Sequence, residues 1–176
     1  MFLDVLQKPV HLPKAVLHGS RDKQRNKDMT KDIVISIRGL QTAEDTQNET
    51  VEVIAPGEYY FRNGKHFFLY EEAEEGKQEL TKNIIKVSND YMEVTKKGTV
   101  NVHMIFEKDK KNVTYYNTPF GSLLIGIDAY RVDVKETEKE ISVLVEYALE
   151  VNNEHLANCR IQMKVNSRTE SEFHLL

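Results

Sequence analysis

Apolar and polar residues alternate along most of the chain after residue 31, which is the period-two pattern of half-buried β-strands. The pattern is longest in segments 140–151 and 157–165. It predicts strands with one face packed into a core and the other in water. The predicted inward positions are Ile33, Ile35 and Ile37; Val100, Val102, Met104 and Phe106; Ile141, Val143, Val145, Tyr147, Leu149 and Val151; and Ala157, Cys159, Ile161, Met163 and Val165.

Turn residues divide these runs into separate strands. Asn63-Gly64 lies between two aromatic-rich segments, and this pair favours a two-residue type I′ hairpin because both positions need positive φ. Pro56-Gly57 is interpreted as a turn that ends an earlier strand. Segment 88–90, Ser-Asn-Asp, predicts a further reversal between two apolar runs.

One long run changes its phase. Segment 121–136 is apolar on both parities at first and then settles on Tyr130, Val132 and Val134. An extra residue in one strand of a pair produces such a change. We therefore predict a β-bulge near residues 128–129.

The pattern yields nine or ten strands with short connections and no convincing helix. Short connections make neighbouring strands antiparallel, and closing the sheet removes its exposed edges. We predict an all-β fold, a single antiparallel up-and-down barrel of about 8–10 strands over residues 31–166. Residues 1–30 are predicted to be a flexible extension, with Met29 as an alternative start, and residues 167–176 a loose tail.

Composition narrows the function classes. The 176-residue chain has a net charge of −4, and its first 31 residues hold seven basic and three acidic residues, so the body is acidic. An acidic body argues against nucleic acid as the main partner. Cys159 is the single cysteine, which favours a reducing compartment, and no signal peptide or apolar membrane span is recognisable. A cytoplasmic protein with no membrane partner is predicted.

Several segments together resemble a known family. They are "IVISIRG", "GEYYFRNGKHFFLYEE", "NIIKVSNDYMEVTKKGTVNVHMIFE", "YYNTPFG", "LLIGIDAYRVDV" and "VEYALEVNN" followed by "CRIQMKV". In this order they resemble the YwiB-like bacterial family of unknown function. The resemblance implies a calycin (lipocalin-like) β-barrel. It implies no activity, no catalytic residue and no cofactor, and small-ligand binding follows only by analogy of fold.

The stretch "YYNTPFG", residues 115–121, allows two interpretations. It is a corner between two strands, with Phe120 closing the barrel end and Gly121 at positive φ, or it is a loop that presents hydrogen-bonding groups to a ligand. Adjacent tyrosines point to opposite faces of a strand, so at most one of Tyr115 and Tyr116 is inward. Tyrosines and this loop supply the predicted ligand-binding residues, which are Tyr60, Tyr70, Tyr116, Asn117, Thr118 and Tyr147.

Other reactive residue types predict no site. The six histidines lack metal-ligand spacing, and His66 and His103 are interpreted as solvent-facing. The acidic run at Glu71, Glu72, Glu74 and Glu75 is interpreted as solvated. Cys159 is interpreted as a small buried residue. Motifs of phosphate-binding loops, serine hydrolases and zinc proteases are missing from the sequence, and no metal or cofactor is predicted.

Three functional hypotheses follow. The first is a non-catalytic barrel that binds a small, partly apolar molecule. The second is a protein-interaction or structural module that acts through a sheet edge or as a homodimer. The third is an enzyme with a polar site inside the barrel, such as Tyr116 with Glu146 or Arg160.

Overall fold

The computed structural model describes residues 30–42, 49–73, 80–98, 101–118 and 120–168. These residues form ten strands and no helix, so none of them belongs to a helix able to cross a membrane. The predicted extension up to residue 29 and the predicted tail from residue 169 lie outside the described residues. The strands are β1 (Asp32–Thr42), β2 (Glu49–Arg62), β3 (Lys65–Ala73), β4 (Leu80–Ser88), β5 (Tyr91–Lys97), β6 (Val102–Glu107), β7 (Lys110–Thr118), β8 (Gly121–Glu136), β9 (Glu140–Val151) and β10 (Glu154–Ser167).

Every strand pairs with its neighbours in the sequence, and β1 pairs with both β2 and β10. All these pairs are antiparallel, so the sheet closes on itself as an up-and-down barrel. This confirms the predicted all-β fold and its strand number. Closure pairs the two terminal strands, β1 and β10, which would otherwise both be free edges of the sheet.

The barrel interior is filled by one cluster of buried apolar side chains. These side chains come from the inward parity of each strand, and the apolar runs predicted on β1, β6, β9 and β10 all contribute. Val100 lies outside the described residues. Because alternation places one apolar side chain inward every second residue, the barrel wall and its core are specified together.

The predicted hairpin at Asn63-Gly64 joins β2 and β3. The φ angles of Asn63 and Gly64 are 52° and 72°, as a type I′ turn requires. Asn152 and Asn153 make a similar reversal between β9 and β10, with φ angles of 51° and 68°. Asparagine tolerates this conformation better than most residues, which explains its use at both turns.

The predicted turn at Pro56-Gly57 is wrong, since β2 continues through both residues. Pro56 is opposite Val34 of β1, and the ladder between β2 and β3 begins only at Gly57. The missing N–H of proline is therefore tolerated at this position. Gly57 is needed for a different reason. A Cβ atom there would lie 2.6 Å from the carbonyl oxygen of Leu69, so the glycine permits close approach of β3.

The predicted bulge in β8 is confirmed. The register with β9 shifts between Ala129 and Arg131, which leaves Tyr130 as the extra residue. The Tyr130 side chain is therefore 50% exposed, contrary to its predicted inward position, whereas Val132 returns to the core. A second shift in β10 leaves Leu156 as an extra, exposed residue.

The connections divide between two ends of the barrel. The hairpin end carries the turns at 63–64, 89–90, 108–109 and 137–139. The loop end is the opposite end, where β1, β3, β5, β7 and β9 end. The boundary between β6 and β7, called the seam below, has one ladder pair among the described residues, Glu107 with Lys110, next to the turn. Further towards the loop end, the described residues of β6 and β7 form no other ladder pair.

Candidate functional site

Polar side chains occupy the inward face of three adjacent strands near the loop end. Tyr70 and Glu72 come from β3, Thr81 and Asn83 from β4, and Lys96 from β5. Tyr70 is opposite Asn83, Glu72 is opposite Thr81, and Asn83 is opposite Lys96, so the five side chains share one face. All five are buried, and we call them the polar cluster.

An ion pair lies at the centre of the polar cluster. The Lys96 Nζ atom donates to Oε2 of Glu72 at 3.0 Å, across the intervening strand β4. The exposed fractions are 4% for Lys96 and 9% for Glu72. Burying two charges costs several kcal/mol each, which their attraction offsets only when the geometry is good. Burying this pair therefore carries a desolvation cost that lowers the stability gained from the small barrel core.

Two acceptor atoms in the polar cluster have no hydrogen-bond partner within the described part of the chain. They are Oε1 of Glu72 and Oδ1 of Asn83. Asn83 is only 1% exposed, and its Nδ2 atom donates to the carbonyl oxygen of Thr81 at 3.2 Å. A buried polar atom without a partner costs about 1–3 kcal/mol and is rare in folded proteins. Two such atoms on neighbouring strands make the polar cluster the candidate site.

Tyr70 remains protonated in this setting. Burial raises the pKa of its hydroxyl well above the usual value, and the charge and hydrogen bonding of Glu72 raise it further. The hydroxyl therefore serves as a donor and does not supply a phenolate.

Close packing fixes the loop end of the polar cluster. A Cβ atom at Gly98 would lie 2.4 Å from Oγ1 of Thr81, so glycine at this position lets β5 approach Thr81. Any larger residue requires β4 or β5 to move. The sequence thereby keeps Thr81 pressed inward beside Glu72.

Strand β7 carries a second set of inward polar side chains, on the far side of the seam. Asn112, Thr114 and Tyr116 are opposite inward apolar residues of β8. Tyr116 packs against the apolar core. The Nδ2 atom of Asn112 is buried and has no hydrogen-bond partner among the described residues.

Three of the predicted ligand-binding residues point into the barrel. Tyr70 belongs to the polar cluster, and Tyr116 lies on the inward face of β7 near the loop end. Tyr147 is buried deeper, with its ring 4.9 Å from that of Phe106 and its hydroxyl beside Cys159. Burial raises the pKa of the Cys159 thiol to about 11, which suits an inert core residue.

The other three predicted residues lie elsewhere. Tyr60 is on the outer face of β2, where its hydroxyl donates to Glu58 and its ring lies below Lys31, so it does not line the interior. Asn117 is exposed and accepts a hydrogen bond from Ser122 at 2.6 Å. Thr118 ends β7, and its side chain lies outside the described part of the structure.

Two aromatic predictions need correction. Phe120 is 99% exposed, so it does not close the barrel end. Gly121 does take positive φ, at 132°.

His66 is buried and faces inward, because its parity on β3 is that of Phe68. His103 lies on the exposed face of β6, as predicted.

Two charged-residue predictions also need correction. Glu72 is buried and paired, whereas Glu71 is exposed, and Glu74 and Glu75 lie outside the described residues. Glu146 and Arg160 form an ion pair at 2.5 Å on the outer face of β9 and β10. They therefore cannot form an interior site with Tyr116. The described residues contain no group of three or more potential metal ligands.

His66 belongs to a separate buried group at the hairpin end, which we call the histidine group. Its Nδ1 atom is 3.0 Å from the hydroxyl of Tyr59, and its Nε2 atom is 3.7 Å from a carboxylate oxygen of Glu136. The ring is parallel to that of Phe68, with centroids 6.3 Å apart. Burial lowers the pKa of His66, and the Glu136 charge opposes this only in part.

An open groove of about 530 Å³ lies on the outer face across β1, β2 and β8–β10. Two of its arginines are paired with carboxylates, Arg38 with Glu52 and Arg131 with Asp133. The groove lies away from the polar cluster and offers no buried polar atom without a partner. We do not assign the candidate site to it.

Sequence reasoning missed Glu72, Asn83 and Lys96. Each lies two residues along its strand from a buried residue on the same inward face. Glu72 follows Tyr70 on β3, Asn83 precedes Ile85 on β4, and Lys96 follows Val94 on β5. A polar residue on the core parity was the available signal. It was overlooked because polar residues near a strand end are usually interpreted as the start of a loop.

Comparison with known proteins places this barrel in a family. The family described as "Domain of unknown function (DUF1934)" matches residues 35–163. "Uncharacterized beta-barrel protein YwiB" of Bacillus subtilis (strain 168) is 28% identical over 137 residues, covering 76% of this chain and 94% of that protein. The crystal structure of the B. subtilis YwiB protein superposes with a TM-score of 0.68 at 19% identity, covering 79% of this chain and 93% of that one. The resemblance to YwiB-like proteins is thus confirmed, and the chain belongs to the DUF1934 family of β-barrel proteins related to YwiB, whose function is unknown.

Proposed function

We propose that this barrel binds a small, partly apolar molecule at its loop end and carries out no chemistry on it. The observation that carries the proposal is the pair of buried acceptors, Glu72 Oε1 and Asn83 Oδ1, which have no partner among the described residues. A protein gains nothing in stability from such atoms, whereas a bound donor satisfies both.

The surroundings of the polar cluster explain the partly apolar character of the ligand. Lys96 is opposite Val102, and the next inward pair along the same two strands is Val94 with Met104. These apolar side chains continue directly into the core. A ligand that contacts the cluster therefore meets apolar surface on its inner side, as is usual for small-molecule sites.

The protonation states favour binding over catalysis. Tyr70 is held protonated by burial and by Glu72, and the Glu72 carboxylate is neutralised by Lys96. A general base or an activated nucleophile needs an available carboxylate, thiolate or amine. The inward Cys159 has a raised pKa and is not activated either.

Three further statements belong to the same proposal. The barrel is of calycin (lipocalin-like) type, and its one small ligand lies at the loop end, beside the apolar core. The protein acts in the cytoplasm, in keeping with its single cysteine. Its partner is neither nucleic acid nor a membrane, in keeping with its net charge of −4.

Native mass spectrometry of the freshly purified protein tests the proposal. We expect an added mass that is retained under gentle ionisation and lost on denaturation. Asn83→Leu is expected to abolish the added mass, because it removes one acceptor and fills its place. Asn158→Leu, on the exposed face of β10, is the matched control and is expected to retain it. An added mass that is equal in both variants would contradict the assignment to the polar cluster.

The seam favours a second candidate, an interaction module. Beside its single ladder pair, β7 exposes Val113 by 56% and Tyr115 by 71% on its outer face. An exposed strand with apolar side chains can pair with an added strand from a partner or a second copy. Light scattering over a concentration series tests the homodimer, with Tyr115→Lys expected to weaken it and Tyr130→Lys as the control. A monomer at all concentrations would remove the homodimer.

A further inference from the structure

The polar cluster also restricts the chemistry of the molecule that it can bind. This inference rests on the proposed ligand-binding function and uses the charges and hydrogen-bonding roles of the same side chains. Three steps lead to it: the charge balance of the site, the direction of its unused hydrogen bonds, and the apolar neighbours.

The buried ion pair of the polar cluster carries no net charge. Lys96 and Glu72 form a 3.0 Å ion pair in which both side chains are buried. A ligand with a net charge would add an uncompensated charge to this buried region, and such a charge is strongly disfavoured. The charge balance therefore selects a neutral ligand over a cation or an anion.

The two buried polar atoms of the cluster that have no hydrogen-bond partner among the described residues are both acceptors. Oε1 of Glu72 and Oδ1 of Asn83 lie on neighbouring strands and face the same interior. Because Asn83 donates its Nδ2 hydrogen to Thr81, its oxygen is the atom left for a ligand. A ligand that has only acceptors leaves both atoms unpartnered, whereas a group with two N–H or O–H donors can satisfy them.

We infer that the ligand is a neutral, partly apolar molecule whose polar group presents two hydrogen-bond donors, as in a primary carboxamide or an amino-substituted heterocycle. The donor group contacts Glu72 and Asn83. The apolar part lies towards Val94 and Met104, which continue the inward face from Lys96 and Val102.

Four probes with the same ring separate charge from hydrogen bonding. Benzamide is neutral with two N–H donors, acetophenone is neutral with an acceptor only, benzamidine is a cation, and benzoate is an anion. Each is titrated into ¹⁵N-labelled full-length protein, and the amide resonances of residues 70–72, 81–83 and 94–96 are followed. We expect benzamide to perturb these residues and to bind about tenfold more tightly than acetophenone, the worth of about one hydrogen bond. Benzoate and benzamidine are expected to bind more weakly than benzamide.

The outcomes distinguish this inference from the proposed function. If benzamidine, benzoate or acetophenone perturbs the same residues and binds at least as well as benzamide, the ligand site stands and the inference is overturned. If none of the four probes perturbs them, the ligand site itself is overturned, and ordered water becomes the occupant of the cluster.

A variant pair strengthens the assignment. Asn83→Leu is expected to bring the affinity of benzamide down to that of acetophenone, whereas Asn158→Leu keeps the difference. An unchanged difference in Asn83→Leu would overturn the role of the Asn83 acceptor. Circular dichroism checks the fold of each variant, and the ranking of the four probes on the unaltered protein decides the question if Asn83→Leu does not fold.

Discussion

The two ends of this barrel both bury polar side chains, but they treat them differently. At the hairpin end, the histidine group satisfies itself, since His66 contacts Tyr59 at 3.0 Å and faces Glu136. At the loop end, Lys96 is paired with Glu72, but Oε1 of Glu72 and Oδ1 of Asn83 have no hydrogen-bond partner among the described residues. A self-satisfied group stabilises the fold, whereas acceptors without partners are retained at a cost to stability. The difference supports the proposed binding role for the loop end and a structural role for the hairpin end.

The largest expected effect comes from breaking the ion pair. Lys96→Met leaves the Glu72 carboxylate buried without its cation and is expected to lower the free energy of unfolding by about 3–5 kcal/mol. Urea denaturation measures this loss. The double variant Lys96→Met with Glu72→Leu is expected to recover most of it, since no buried charge remains.

Lys86→Met is the control for this experiment. Lys86 pairs with Glu93 at 3.1 Å on the outer, partly exposed face, where such pairs are worth about 0–1 kcal/mol. A loss in Lys96→Met as small as in this control would show that water reaches Glu72, and the comparison between the two ends would fail.

The second effect tests the hairpin end. Tyr59→Phe removes the hydroxyl beside His66 Nδ1 and leaves that ring nitrogen buried without its partner, so we expect a loss of about 1–3 kcal/mol. Chemical denaturation measures it, with Tyr60→Phe on the outer face as the control. Equal stability of the two variants would mean that the histidine group does not support the fold.

The third effect is the sharpest contrast between the ends. Asn83→Leu removes a buried acceptor that has no partner among the described residues, but also the hydrogen bond from its Nδ2 atom to Thr81. Because these two effects oppose each other, we expect stability to change by no more than about 1 kcal/mol. The thermal midpoint, measured beside that of Tyr59→Phe, checks this. A loss as large as that of Tyr59→Phe would assign Asn83 a structural role and weaken the proposed binding site.

The smallest effect is a dependence of stability on pH. The pKa of His66 is lower in the folded state than its ordinary value of 6.5, so folding favours the neutral ring. The stability of the fold is therefore unaffected by protonation of His66 above pH 6.5 and decreases as the pH falls from 6.5 through the lower, folded-state pKa. We expect lower stability at pH 5.5 than at pH 7.5, and a smaller difference in His66→Gln. An identical difference in the two proteins would contradict this origin.

A second titrating group acts in a separate pH range. Partial burial disfavours ionisation of Glu93, but hydrogen bonds from Tyr91, His103 and Lys86 outweigh it and lower its pKa to about 2. The stability that Glu93 contributes is therefore lost only as pH falls below its ordinary value of 4.5. Measurements between pH 5.5 and 7.5 leave this group unchanged.

The fold was predictable because burial in a barrel wall repeats every second residue. That period fixed the inward faces of β9 and β10, and Asn63-Gly64 fixed a turn through its backbone preference. Pro56 misled the prediction, since proline in a strand is tolerated where its missing N–H faces no ladder partner.

The candidate site was only partly predictable. Tyr70 and Tyr116 were predicted from their aromatic character and their parity, and both face inward, although only Tyr70 belongs to the polar cluster. Tyr60 faces outward, because three aromatic residues in succession hide which one is inward. Glu72 and Lys96 are 24 positions apart and meet across β4, so their pairing depends on the order of three strands. No local pattern specifies that meeting.

The single ladder pair of the seam has a mechanical consequence. Glu107 and Lys110 flank the turn that joins β6 to β7, so the wall can open along the seam without a chain end passing through it. In such an opening, β6 and β7 would move apart and remain connected through Lys108 and Asp109, while β1 stays paired with β2 and β10. We expect the amide protons of β6 and β7 to exchange with deuterium well before those of β9, because the barrel opens locally along the seam.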